Sequence, residues 1–180
     1  MSIRRFAVLI ALAFLWVPLS RAQSTDWIPS GMNALAAHAT FSTDFTFDKS
    51  MLNAMAQNAP EDERRIIAQL RSISVHSFRY SAQELYDETA LDAVRSQFVG
   101  NGWQHLVTKQ GNPDSPDPVR TDLWVRLAHA DVQGVVLLVA SERNVNLVVV
   151  DGMISPLDLL HLRGHFGIPR FSGDQFEGQK

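Results

Sequence analysis

The chain has 180 residues, of which 16 are basic and 19 acidic, a formal net charge of −3, and no cysteine. Without thiols it can form neither disulfides nor thiolate metal sites, and an acidic balance argues against nucleic-acid binding, which needs cations to neutralise phosphates. A hydrophobic fraction of 46% is enough to build the core of one domain at this length.

Arg4 and Arg5 precede an apolar run from Phe6 to Val17, and the triplet Ser20-Arg21-Ala22 follows it. This is the pattern of a secretory signal peptide cleaved after Ala22. The run is shorter than the roughly 20 residues that span a bilayer. No cysteine is present to carry a lipid. The expected product is therefore a soluble exported domain beginning at Gln23, periplasmic or secreted, with no transmembrane anchor. The leader holds three arginines and no acid, so its removal takes the net charge from −3 to −6.

Residues 23–40 show no clear period. Phe41, Thr43, Phe45 and Phe47 then alternate along "FSTDFTF", which predicts a half-buried strand. Asp48 is placed to cap a helix carrying Met51, Leu52 and Met55 on one face. Pro60 is expected as a first-turn residue of a second helix, with Glu61, Asp62 and Glu63 at its positive end and Ile66, Ile67 and Leu70 buried. "SISVHSFRY", residues 72–80, predicts a strand. Ser81 and Glu84 have capping-box spacing, but the apolar face shifts after Leu85, which moves the start of this helix later. Leu91, Val94 and Phe98 share its face, and Gly100, Asn101 and Gly102 end it.

Four strands are expected over residues 103–109, 121–129, 133–141 and 144–150, with tight turns at Gln133-Gly134 and Arg143-Asn144. "VVLLVA" and "VNLVVV" are apolar on nearly every residue, so both sheet faces should be covered there. The loop "QGNPDSPDPVRTD" falls inside a hairpin. Pro156 opens a last helix with Leu157, Leu159, Leu160 and Leu162, and Gly164 ends it. The order of elements predicts a single α+β domain over residues 23–171, with helices packed on a largely antiparallel sheet of five or six strands. A polar tail follows over residues 172–180.

The stretches "TFSTDFTFDKSML", "LRSISVHSFRY", Gly102-Trp103, "GVVLLVASERNVNLVVVDGMI" and "LHLRGHFGIP" together resemble the bacterial exported domain of unknown function (DUF) 4252 family. The resemblance implies an envelope location and a compact α+β fold, with no catalytic residue to carry over. Many proteins of this kind resemble lipoproteins, and this chain departs from them in having no cysteine to acylate.

No polar residue belongs to a motif that names a reaction. Asp151-Gly152 after an apolar run reads as a turn, because aspartate bonds nearby amides and glycine accepts positive φ. His161 and His165 have the four-residue spacing that zinc ligands use on a helix, but no third ligand accompanies them. They read as end-of-helix or surface histidines. His76 and His129 are expected within strands. Asp114, Asp117 and Asp122 crowd a proline-rich loop without the spacing of a calcium site, so the loop reads as solvated. Trp103 and Trp124 read as core residues. Nucleophile elbows, phosphate loops and dinucleotide fingerprints are absent from the sequence. No catalytic, cofactor-binding or metal-binding residue is assigned. The expected function is that of a non-catalytic envelope domain binding a protein partner or small ligand. The alternative is a periplasmic hydrolase assembled from dispersed groups such as Asp44, His76, Glu142 and His165.

Overall fold

The computed structural model describes residues 31–82, 85–99, 102–111 and 118–169. The proposed signal segment, Glu84, Gly100, Asn101, Asp114, Asp117 and the polar tail lie outside them. The described elements are helix α1 (Met32–Ala37), strand β1 (Phe41–Phe47), helices α2 (Lys49–Ala56) and α3 (Glu61–Gln69), and strand β2 (Leu70–Arg79). Helix α4 (Glu88–Gln97), strands β3 (Trp103–Gln110), β4 (Arg120–Ala128), β5 (Asp131–Ala140) and β6 (Asn144–Gly152), and helix α5 (Pro156–His161) follow. The strands form one six-stranded sheet in the order β1-β2-β6-β5-β4-β3, with every neighbouring pair antiparallel. The α+β class expected from the sequence is the one observed.

The sheet lies between two helical layers because its central strands are apolar on both sides. Val135, Leu137 and Val139 of β5 and Val148 and Val150 of β6 enter one core with Leu52 of α2, Ile66 and Ile67 of α3 and Leu159 of α5. The intervening residues, Val136, Leu138, Val145 and Leu147, enter a second core with Leu35 of α1 and Leu91 and Val94 of α4. Alternation along a strand sends successive side chains to opposite faces, so an unbroken apolar run feeds both cores.

Local chemistry sets the helix starts. Asp48 caps α2 through the amides of Ser50 and Met51. Ser155 and Asp158 form a capping box that starts α5 behind Pro156. Lys49 donates to the carbonyls of Ala68 and Leu70, at 2.8 and 2.9 Å, and so ties α2 to the C-terminal end of α3. Tyr80, just past β2, donates its hydroxyl to the Leu35 carbonyl at 2.8 Å and anchors α1 to the sheet. Burial, followed by the neighbouring Tyr86, pushes the Tyr80 phenol up to about 12.

Several expectations are corrected. Residues 32–37 form a helix whose buried contacts are only Met32 and Leu35, too few to show a period. β1 is an edge strand with every residue from Phe41 to Thr46 exposed, because no helix among the described residues packs over them. On α2 only Leu52 is buried, while Met51 and Met55 are exposed. Pro60 takes the cap position of α3, one residue before the first turn. α4 starts at Glu88 with Asp87 accepting from the Thr89 amide, so Ser81 does not cap it.

The β4–β5 turn is at His129-Ala130, both at positive φ, so His129 leaves the strand and Gln133-Gly134 joins β5. Gly134 is in a strand for a reason of space: a Cβ there would stand 3.1 Å from the Trp103 ring, which lies across it. The β5–β6 turn is closed by the Ser141 amide on the Asn144 carbonyl at 2.8 Å.

Leu147 is fully buried on β6, one of the two central strands of the sheet. Leu147→Ala is expected to destabilise the protein by about 2–5 kcal/mol, the range for a buried leucine that leaves a cavity. Urea denaturation monitored by tryptophan fluorescence measures it, and a loss below about 1 kcal/mol would contradict this packing.

Candidate binding pocket

Polar groups collect where the helices stop covering the sheet. Asp122 sits in β4, flanked by Thr121, Leu123 and Trp124, and is 1% exposed beneath α4. Its Oδ2 accepts from Arg95 Nε at 2.9 Å and lies 3.8 Å from Arg120 Nε. Its Oδ1 accepts from the Thr108 hydroxyl. A bulge at Leu106 shifts the β3 register between His105 and Val107, so that His105 and Thr108 both face Asp122. The Thr108 hydroxyl is 3.1 Å from His105 Nε2, and His105 Nε2 is 3.5 Å from Asp122.

Arg95 is clamped between Asp122 and Asp92, the latter at 2.7 Å. Burial alone works to lower the Arg95 pKa, but the hydrogen bonds it donates to Asp92 and Asp122 together raise it, so the guanidinium stays charged. Its Nη2 is buried and has no hydrogen-bond acceptor among the described residues.

Beside this cluster is a cavity of about 320 Å³. It is walled by Tyr86 and α4 on one side and by the ends of β3, β4 and β5 on the other. Arg95 and Arg120 bring guanidinium groups to its wall, Glu88 and Glu142 carboxylates, and Tyr86 and Ser141 hydroxyls, while Leu91 and Ala140 are apolar. Burial, and then the charge of Glu88, push the Tyr86 phenol up to about 12, so it is a neutral hydrogen-bonding group at physiological pH.

A second cluster occupies the same sheet face farther along. Asp151 is in β6, not in a turn. It accepts from Arg71 Nε and Nη2, each at 2.7 Å, and from Arg126 Nη2 at 2.8 Å. Arg71 reaches it because β2 bulges between Leu70 and Ser72. Arg126 also stacks over Trp103 at 5.1 Å. The glycine after Asp151 has φ 138°, and a Cβ there would meet the Gln69 carbonyl and Leu70 Cα at 2.6 Å.

Of the dispersed hydrolase candidates, Asp44 and His76 meet, Oδ1 to Nδ1 at 3.2 Å, across β1 and β2. Glu142 lines the cavity, which none of the other three lines. His165 instead lies 3.9 Å from Glu63. Helix α5 ends at His161, so His161 and His165 do not share a helix face. Among the described residues no group of three or more His, Asp or Glu side chains is placed to hold a metal ion. Asp122, expected in the proline-rich loop, is instead a buried strand residue. Trp124 is in the core against Phe98, while Trp103 is only half-buried. Sequence reasoning missed Arg71, Arg95, Arg120 and Arg126. The signal was an aspartate next to an apolar run in each of β4 and β6, a position that calls for a cationic partner.

These features define a single α+β domain, an antiparallel sheet between two helical layers with a mixed-charge cavity at one end. Residues 38–162 match the family described as Domain of unknown function (DUF4252), and the chain belongs to it. Neither a curated protein nor a solved structure matches the chain. No helix among the described residues is long and apolar enough to cross a membrane.

The hydrogen bonds from Arg71 hold the Asp151 carboxyl below the usual carboxylate range, against an opposing effect of burial; the charges of Arg71 and Arg126 add to the lowering. A depressed folded pKa gives stability that is present above the unfolded value, about 3.9, and is lost as pH falls through the folded value. Asp151→Asn is therefore expected to cost about 1–2 kcal/mol at pH 7. The difference from the parent protein should shrink in urea melts below about pH 4.

Proposed function

We propose that this protein is an exported, non-catalytic envelope domain that binds a small ligand in the cavity beside α4. The observation that carries this reading is the cavity wall itself, where guanidinium and carboxylate groups stand together over a partly apolar surface. A concave site with a few polar groups among apolar ones suits recognition of a small molecule. The pairing of both charges fits a zwitterion, such as a free amino acid or the end of a short peptide. Asp122 supports the site from behind by holding Arg95 and drawing in Arg120. Export is supported by the leader-like pattern of residues 1–22.

Native mass spectrometry of protein expressed with its own N-terminus and recovered from the periplasm tests both parts. The expected polypeptide begins at Gln23. The expected adduct is a small molecule, retained by the parent protein and lost from Arg120→Ala. A full-length chain recovered in the membrane fraction contradicts export. A protein that takes up no amino acid or dipeptide on titration, and carries no adduct, contradicts the pocket assignment.

A hydrolase reading has one observation in its favour, the Asp44–His76 contact. It requires ester or amide hydrolysis that disappears in His76→Ala.

A further inference from the structure

β1 is the terminal strand of the sheet, and no other strand among the described residues pairs with its outer edge. Phe41 and Phe45 on it are 56% and 42% exposed. An edge strand leaves a row of backbone N–H and C=O groups unpaired and offers them to another strand. The opposite edge, β3, is blunted by the bulge at Leu106 and carries Gln104, His105 and Lys109. β1 has none of these devices apart from Asp44.

The sequence of this edge is self-complementary. From Thr40 to Thr46 it reads Thr-Phe-Ser-Thr-Asp-Phe-Thr, the same in both directions about Thr43 except that Ser42 and Asp44 exchange. We propose that β1 pairs antiparallel with β1 of a second copy of this chain, with the two-fold axis at Thr43. The two sheets become one of twice six strands.

In this register Phe41 faces Phe45 of the second copy, and Phe45 faces its Phe41. Ser42 faces Asp44 of the second copy, so a hydroxyl donor meets a carboxylate acceptor, twice. Thr40 meets Thr46, and Thr43 meets Thr43. Aromatic pairs and hydroxyl pairs directly opposite each other are the contacts that stabilise antiparallel strands.

The aromatic row already begins inside each copy. Phe166 contacts Phe47 at 5.7 Å and Phe47 contacts Phe45 at 4.5 Å. Pairing at Thr43 carries this row across the axis and covers its exposed end. Placing the axis at Asp44 would set two Asp44 carboxylates opposite each other and exchange the Phe41–Phe45 pairs for Phe41–Phe47, leaving the exposed Phe45 opposite Thr43. A two-fold contact of this kind closes on itself and does not propagate.

The absence of cysteine makes the test direct. Thr43→Cys introduces a single thiol, and residues directly opposed across an antiparallel pair have Cα atoms about 4.5 or 5.5 Å apart, both within disulfide range. The parent protein is expected to show a concentration-dependent dimer in sedimentation velocity, and Phe45→Lys to shift it to monomer. Thr43→Cys should form a covalent dimer under mild oxidation, faster than Asp44→Cys, while Gln104→Cys on β3 should not. Circular dichroism confirms that each variant is folded. A parent protein that stays monomeric at every concentration overturns the proposal, as does cross-linking of Gln104→Cys as fast as that of Thr43→Cys. Faster cross-linking through Asp44→Cys would overturn the register.

Discussion

A strand that is apolar at every position cannot face water on either side. β5 from Gly134 to Ala140 and β6 from Leu147 to Val150 are such runs, and this constraint accounts for most of the architecture. Each needs a helical layer above and below, which α1 and α4 provide on one face and α2, α3 and α5 on the other. Strands with mixed sequences are left for the edges, where one side or both can meet solvent. The order β1-β2-β6-β5-β4-β3 places the two most apolar strands at its centre.

The same constraint localises the polar chemistry. Helices α1 and α4 do not extend over the whole of their sheet face, and at its margins the buried Asp122 and the half-buried Asp151 take the place of apolar side chains. Asp122 and Asp151 each hold two arginines. Removing Arg95 would leave Asp122 buried without its closest cation, so this pair ties β4 and α4 together in one geometry. Bulges at Leu106 and Arg71 aim the partners: one turns His105 and Thr108 to the same side, and the other sends Arg71 to Asp151. The cavity beside α4 is bordered by Arg95, which Asp92 and Asp122 hold in one position.

Much of this was readable from residue patterns, and the failures have particular causes. Strong local signals survived: the Asp48 cap, the Pro156 start, and the unbroken apolar runs of β5 and β6. Boundaries set by tertiary contact did not. Gly134 reads as a turn residue by type, yet it is in a strand because the Trp103 ring needs its space. His129 and Ala130 turn the chain at positive φ without glycine, so composition carried no hint. Asp151-Gly152 looked like a turn for the ordinary reason that aspartate and glycine favour one, and only Arg71, 80 residues away in sequence, shows the strand aspartate to be an ion-pair acceptor. The candidate pocket was the least legible part. Tyr86, Arg95, Arg120 and Glu142 come from different elements, and no spacing in the chain relates them.

The claim that the central strand pair organises the fold is tested most directly by native-state hydrogen exchange read residue by residue. Amides of β5 and β6 should exchange most slowly, at rates set by global unfolding, and those of β1 and β3 should exchange through local opening at much lower free energy. Protection in β1 equal to that in β5 under conditions where the protein is monomeric would contradict the account, as would separate unfolding of β5 and β6 ahead of the edges.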